Sequence, residues 1–158
     1  MSQDKSQEFV TRHFTETDTN ELLVLMRNLA DFEDYLDEFK VAQSDLIERG
    51  LCEEPQFHAL VAEAKDGTLL GMAVYYTIPF IHDLHPAMVL KELYVTDKAR
   101  GMGVGKALMT GVKSAAKELK CKRIKWLVLV GNERARKFYA SQGGQQDHKW
   151  ENWYLNVA

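Results

Sequence analysis

The chain has 158 residues, of which 46% are hydrophobic and 27% charged, as in globular proteins large enough for one substantial core. Its net charge of −3 gives no reason to expect nucleic acid or an anionic membrane as a partner. No apolar run approaches the roughly 20 residues of a membrane span, and the polar first five residues predict no signal peptide. Cys52 and Cys121 form no Cys-x-x-Cys pair, so we expect reduced thiols in a cytoplasmic protein and no metal site.

Hydrophobic patterning predicts strands and helices along the whole chain. The predicted strands cover residues 9–14, 57–64, 69–76, 88–95, 123–130 and 149–157. The predicted helices cover residues 18–30, 45–50, 104–119 and 134–141. Lys65-Asp66-Gly67 separates two of the strands as a hairpin turn does, and the continuous apolar run 123–130 is typical of a strand covered on both faces. A hairpin followed by strand–helix–strand units indicates an α/β fold with mixed pairing, in a single domain over residues 1–158.

A glycine-rich loop joins the strand 88–95 to the helix 104–119. Gly101, Gly103 and Gly105 stand on alternate positions, so several backbone N–H groups are left uncovered at a helix N-terminus. The helix dipole favours an anion there, which indicates a phosphate or pyrophosphate ligand. Arg100 precedes the glycines and offers a positive charge.

Two common nucleotide-binding fingerprints do not fit this loop. A P-loop requires a glycine where the chain has Arg100 and a hydroxyl residue where it has Ala107. A dinucleotide fingerprint requires its third glycine where the chain has Lys106. ATP and NAD are therefore not the expected ligands.

What does fit is Arg-x-x-Gly-x-Gly, at Arg100, Gly103 and Gly105, which resembles the pyrophosphate-binding loop of the GNAT superfamily of acetyl-CoA-dependent N-acetyltransferases. Residues 132–143 read Asn-x-x-Ala-x-x-Phe-Tyr with a glycine close behind, and they resemble the second conserved block of that family. The resemblance covers residues 57–144. It implies a mixed, mostly antiparallel central sheet flanked by helices, acetyl-CoA as cosubstrate, and no metal.

The resemblance also assigns roles to residues. The strand before the loop offers its backbone to the pantetheine amides, and Tyr139 donates a proton or hydrogen bond to the leaving thiolate. Two alternatives stay open: Tyr139 packs in the core, and Asn132 bonds its own backbone in a turn. The implied cofactor-binding residues are Leu93, Tyr94, Val95, Arg100, Gly101, Met102, Gly103, Val104, Gly105, Lys106, Asn132, Ala135 and Tyr139.

Within the superfamily, the chain resembles the spermidine/spermine (diamine) acetyltransferases and their thialysine-acetylating relatives. The resemblance lies in Phe32-Glu33 and in residues 57–63, 71–76 and 90–95. The stretch 31–38 has five carboxylates in eight residues, which either attract the ammonium groups of a polycation or form a solvated helix end. The substrate-binding residues that we expect are Phe32, Glu33, Lys91 and Glu92.

One position departs from the polyamine branch. That branch has a carboxylate two places before the equivalent of Leu93, which helps to take the proton of the amine, whereas this chain has Lys91 there and Glu92 beside it. Neighbours on a regular strand face opposite sides, so Glu92, the catalytic carboxylate that we expect, does not simply replace that carboxylate. A local bulge that re-aims Glu92, a water relay and a role for Lys91 in deprotonation stay open. A lysine here disfavours a tetracationic substrate and favours one that carries a carboxylate, such as a lysine-like amino acid.

We therefore predict an enzyme that transfers an acetyl group from acetyl-CoA to a primary amine of a small molecule by direct attack on the thioester. The acceptor is a polyamine or diamine, or a lysine-like amino acid such as thialysine. An acetyltransferase for protein amines and a non-catalytic acyl-CoA sensor are the alternatives. The resemblance implies a homodimer.

Overall fold

The computed structural model describes residues 8–80 and 82–157. The polar first residues, on which the prediction of no signal peptide rests, lie outside the described part. Backbone proximity divides the chain into two compact units, Met1–Leu127 and Val128–Ala158. None of the described helices is long and apolar enough to cross a membrane.

A five-stranded sheet forms the centre of the first unit. Its strands are β1 (Phe9–His13), β2 (His58–Ala64), β3 (Leu69–Ile78), β4 (Ala87–Val95) and β5 (Ile124–Lys125). They lie side by side in chain order. The first four pair antiparallel, and β5 pairs parallel to β4. The predicted mixed, mostly antiparallel sheet is therefore confirmed.

Helices cover both faces of this sheet. The helices of the chain are α1 (Thr19–Phe32), α2 (Gln43–Gly50), α3 (Val104–Glu118) and, in the second unit, α4 (Glu133–Ser141). Apolar residues of α1 and α2 form one buried cluster with Val61, Met72 and Val74 of the sheet. On the opposite face, α3 packs so closely that a Cβ atom on Gly111 would lie 2.8 Å from Cδ1 of Leu60. These helices and β1 to β4 end within about two residues of their predicted bounds.

Gly71 fixes the position of α3 relative to the sheet. A Cβ atom at Gly71 would lie 2.8 Å from the carbonyl oxygen of Tyr94 and 3.0 Å from Cγ1 of Val104. Since real Cβ atoms do not approach other atoms so closely, the first turn of α3 can lie on β3 and β4 only because this residue is glycine. The glycine-rich loop is thereby held at the end of β4.

A β-bulge interrupts the pairing of β3 with β4. Val74 pairs with Glu92, but the next residue, Tyr75, pairs with Leu90, so the described register leaves Lys91 opposite no residue of β3. Paired residues share a face of the sheet, and Glu92 therefore lies on the face of Val74, towards α1. Without the extra residue, this place would belong to Lys91. The bulge that the sequence left as one alternative is present.

The predictions for the strands 123–130 and 149–157 are wrong in most of their length. From the first run, Ile124 and Lys125 pair with β4, while the side chains of Leu127 and Val130 are 80% and 97% exposed. No strand forms over residues 149–157. Aromatic and β-branched residues give both runs strand propensity, but a strand needs a partner. Over residues 128–157 the second unit contains the helix α4 and no strand.

Candidate functional site

Left-handed glycines shape the loop before α3. Gly101 and Gly103 have φ of 81° and 84°, values that side chains disfavour, and Gly103 is the N-cap of the helix. The N–H of Ala107 donates to the carbonyl of Gly103 at 3.0 Å. The N–H groups of residues 103–106 therefore precede this bond and have no acceptor within the helix. Four such donors at one helix N-terminus are suited to an anion.

This loop is also open to a ligand. A Cβ atom added at Gly101 or Gly103 would meet no described atom within 4 Å, apart from chain neighbours. Nη1 of Arg100 lies 2.9 Å from Oδ1 of Asp97, whose side chain is 83% exposed, so the pair is weakly held and Arg100 can turn to an anion. The N–H of Met102, by contrast, donates to the carbonyl of Ala99 at 3.3 Å. The loop suits a pyrophosphate, with Met102 contributing shape rather than a donor.

Three further residues of this predicted set lie in the first turn of α3. The side chain of Val104 is buried and faces the space above Gly71, so it holds the helix in place. Lys106 is exposed and can add positive charge. Gly105 continues the helix without positive φ.

The end of β4 leads into this loop. Leu93, Tyr94 and Val95 are half-buried and pair on one side with β3. On the other side, β5 reaches Met88 and Val89 and no further in the part of the chain that the structure describes. The backbone of residues 90–95 thus has an edge on which an extended ligand with amide groups can pair.

Glu92 is the buried charge of the site. Its side chain is 6% exposed, and its Oε1 accepts a hydrogen bond from Nζ of Lys91 at 2.8 Å. Its Oε2 is buried without a hydrogen-bond partner among the side and main chains that the structure describes. Because a buried carboxylate oxygen without a donor is destabilising, this atom marks a place that a ligand donor can fill.

The end of α1 brings a second carboxylate towards Glu92. Burial raises the pKa of Glu33, the charge of Glu92 raises it further, and the ammonium of Lys91 opposes the rise. The N–H of Glu33 donates to the carbonyl of Leu29 at 2.9 Å, which fixes its backbone to the last turn. Phe32 belongs to the same turn, but its side chain is exposed.

Tyr35 is a site residue that the sequence reasoning missed. Asp34 takes a left-handed conformation with φ of 63°, and the N–H of Tyr35 donates to the carbonyl of Ala30 at 2.8 Å. Burial, then the charges of Glu92 and Glu33, raise the pKa of Tyr35 to about 12. The phenol is therefore neutral at physiological pH and can donate a hydrogen bond. The one signal in the sequence was an aromatic hydroxyl inside the acidic stretch. We call Glu33, Tyr35, Lys91 and Glu92 the Glu92 cluster.

The second unit holds the remaining predicted residues. Oδ1 of Asn132 accepts a hydrogen bond from the N–H of Ala135 at 3.1 Å, so Asn132 caps α4. Tyr139 is half-buried, with its ring centroid 5.4 Å from that of Phe138 in an edge-on arrangement. The cap is the turn-type role left open for Asn132. The roles of Asn132, Ala135 and Tyr139 towards a ligand stay predictions.

Metal ligands do not gather in the described structure. Over residues 8–80 and 82–157, no group of three or more His, Cys, Asp or Glu side chains is placed to hold a metal ion.

Comparison with known proteins agrees with the predicted resemblance to the GNAT acetyltransferases. The model of the acetyltransferase (GNAT) family matches residues 23–143. The spermidine/spermine N(1)-acetyltransferase-like protein 1 of Homo sapiens is 31% identical over 163 residues, which cover 98% of this chain but 23% of the human protein. A thialysine N-epsilon-acetyltransferase of Bos taurus is 29% identical over 152 residues, covering 90% of this chain and 88% of that protein.

A solved structure supports the fold. The aminoglycoside acetyltransferase from an uncultured soil metagenomic sample superposes with a TM-score of 0.78, covering 96% of this chain and 97% of that chain. The two chains are 17% identical, so the likeness concerns the fold alone.

Proposed function

Since the chain belongs to the acetyltransferase (GNAT) family, we propose that it transfers an acetyl group from acetyl-CoA to the primary amine of a lysine-like amino acid. The observation that carries this choice of acceptor is the Lys91–Glu92 ion pair beside Glu33, with one oxygen of Glu92 buried and unpaired. The GNAT family supplies the acetyl-CoA chemistry. The acceptor follows from the charges of this chain.

We place the acetyl donor, acetyl-CoA, on the loop before α3 and on the open edge of β4. The N–H groups of residues 103–106 and the guanidinium of Arg100 bind the pyrophosphate, and the open edge of Leu93 to Val95 binds the pantetheine amides. The open space at Gly101 and Gly103 and the short pairing of β5 support this assignment. When bound, acetyl-CoA supplies an acyl carbon activated as a thioester.

The acceptor half is proposed for the Glu92 cluster. An ammonium group bound at Oε2 of Glu92 supplies the hydrogen bond that this atom lacks. With both carboxyls ionised, Glu33 and Glu92 carry two negative charges against one positive charge on Lys91, so the net charge is −1. A lysine-like amino acid, with two ammonium groups and one carboxylate, has a net charge of +1 that balances it, whereas the four ammonium groups of spermine would leave positive charge uncompensated. Lys91 has donors to spare for a substrate carboxylate.

The proposed reaction has two proton transfers, one to Glu92 and one from Tyr139. An alkylammonium with a pKa of roughly 10.4 cannot attack a thioester, so Glu92 accepts a proton from the bound ammonium. The neutral nitrogen then attacks the acyl carbon. Tyr139, by the family resemblance, donates a proton to the departing sulfur. Holding amine and thioester together contributes about 7 kcal/mol or more, and the acid–base pair about 10²–10⁴-fold in rate.

Further parts of the proposal rest on the resemblance. We take residues 1–158 as a single N-acetyltransferase domain that acts in the cytoplasm as a homodimer. The thialysine acetyltransferases, matched over 90% of this chain, support the lysine-like acceptor.

A thiol-release assay tests the function. Acetyl-CoA is offered with lysine, thialysine, a diamine, spermidine, spermine and a peptide with a free amine. We expect the highest kcat/KM with lysine or thialysine. A higher value with spermine would contradict the charge argument, and turnover with the peptide alone would favour a protein acetyltransferase. Calorimetric binding of acetyl-CoA without turnover of any amine would favour the sensor.

A further inference from the structure

Lys91 places an amine of the protein on the carboxylate that is proposed to receive the substrate amine. Nζ of Lys91 lies 2.8 Å from Oε1 of Glu92, although the two residues are neighbours in the chain. Side chains of neighbours diverge on a regular strand, so the β-bulge at Lys91 makes this contact available. The Lys91 side chain is 56% exposed and has room to move.

The chemistry of this group is that of the proposed substrate. Lysine and thialysine present a primary ammonium at the end of a flexible chain of four groups, and so does Lys91. Attachment to the protein gives Nζ an effective concentration at Glu92 in the millimolar range or above. Lys91 therefore competes with every external amine in the transfer of a proton to this carboxylate.

We propose that Lys91 is an intramolecular acceptor, and that the protein acetylates Nζ of Lys91 when no small amine is bound. This inference rests on the proposed function. Glu92 accepts a proton from the Lys91 ammonium, and the nitrogen lone pair forms a bond to the acyl carbon of acetyl-CoA. The carbon–sulfur bond breaks, and its electron pair leaves with the sulfur. Of the two protons lost by nitrogen, one ends on the sulfur of coenzyme A and one in solvent.

Acetylation of Lys91 changes the charge of the Glu92 cluster. The amide product has no charge, so the ion pair with Glu92 is lost. With Glu33 and Glu92 ionised, the net charge of the cluster becomes −2. The modified protein therefore favours acceptors of net charge +2, such as a diamine, over a lysine-like amino acid of net charge +1. Lys91 is thus a modification site that switches acceptor preference.

Mass spectrometry of the full chain tests this inference. Purified wild-type protein is incubated with acetyl-CoA and no amine, and the acetylated peptides are quantified over time. We expect one acetyl group on Lys91. The first-order rate constant of this modification should not depend on protein concentration, and it should fall when lysine is added in excess. Glu92→Gln slows the modification about 100-fold or more, and Lys91→Arg abolishes it. Lys65→Arg, a change at an exposed lysine of the β2–β3 turn, leaves it unaltered.

Four results would overturn the inference. Equal acetylation of Lys65 and Lys91, unaltered by Glu92→Gln, would identify a chemical side reaction of the thioester. An apparent first-order rate constant that rises in proportion to protein concentration would make the reaction intermolecular. If Lys91 stays unmodified while lysine or thialysine is turned over, the inference fails and the proposed function stands. If neither Lys91 nor any small amine is acetylated, both fail.

Discussion

Nζ of Lys91 lies 2.8 Å from Oε1 of its chain neighbour Glu92, and the buried Oε2 of Glu92 has no hydrogen-bond partner in the described structure. This relationship depends on one extra residue in β4. As a result, one oxygen of the Glu92 carboxylate accepts a hydrogen bond from the Lys91 ammonium, and the other oxygen accepts none from the described residues.

Lys91→Met removes the cation from the Glu92 cluster. We expect kcat/KM for a diamine, divided by that for lysine, to rise about fivefold, because a unit charge at about 4 Å in water is worth about 1 kcal/mol. Thiol release with both amines measures the ratio. Lys65→Met is the matched control, since it removes an exposed charge from the β2–β3 turn. An unchanged ratio would show that Lys91 does not select the acceptor.

Tyr35→Phe keeps the ring and removes the hydroxyl that is close to Glu33 and Glu92. We expect KM for the amine to rise about two- to tenfold, the range that the loss of one hydrogen bond permits. The affinity for acetyl-CoA and the Tm stay at the wild-type values. Tyr76→Phe, on the half-buried end of β3, is the control. A fall in Tm without an effect on KM would make Tyr35 a packing residue.

Glu33→Gln tests the electrostatics through stability. Burial and the charge of Glu92 raise the pKa of Glu33 in the folded protein, so above the ordinary pKa of a glutamate the folded state binds more protons than the unfolded state. Stability therefore falls as pH rises through this window. We expect the variant to have a higher Tm than wild type at neutral pH, with a smaller difference at acidic pH.

The control for this experiment removes a neighbouring charge. Glu38→Gln changes an exposed residue of the same acidic stretch and controls for the change in net charge. A Tm difference for Glu33→Gln that is the same at neutral and acidic pH would refute the raised pKa of Glu33.

Gly103→Ala tests the anion site. The left-handed φ of 84° is unfavourable for alanine by about 1–2 kcal/mol, so we expect the loop to relax and the N–H groups of residues 103–106 to turn from the pyrophosphate. Calorimetry should show weaker binding of coenzyme A by about tenfold. Gly67→Ala is a close control, since Gly67 also has a positive φ, of 90°, and open space around it. It should lower Tm without altering the affinity. Equal affinities in both variants would place the pyrophosphate elsewhere.

The sequence allowed most of the first unit to be predicted. Apolar periodicity located α1, α3 and the strands β1 to β4, because each of these elements buries one face or both. Alternate glycines before a helix predicted a loop suited to an anion, and two of these glycines are left-handed in the structure. The apolar periodicity and the alternate glycines are both local patterns, so they can be recognised in one sequence.

The features that could not be predicted from the sequence depend on tertiary contacts. The bulge at Lys91 shifts the register by one residue. Residues 88–95 have the pattern of an ordinary strand, so the bulge could be expected only as one alternative. Tyr35 reaches the Glu92 cluster through the left-handed turn at Asp34. The hydrophobic periodicity of the sequence does not predict this turn. Conversely, residues 149–157 have strand propensity but no partner strand over residues 128–157, so the predicted strand is absent.

The central claim is that Glu92 accepts the proton of a lysine-like amine. It is tested most directly by kcat/KM for thialysine in the wild type and in Glu92→Gln, with coenzyme A binding measured by calorimetry on both proteins. The account predicts a fall in kcat/KM of about 10²–10⁴-fold with unchanged affinity for coenzyme A. A variant that turns over thialysine within about twofold of the wild-type rate would contradict it, since removal of a general base costs far more.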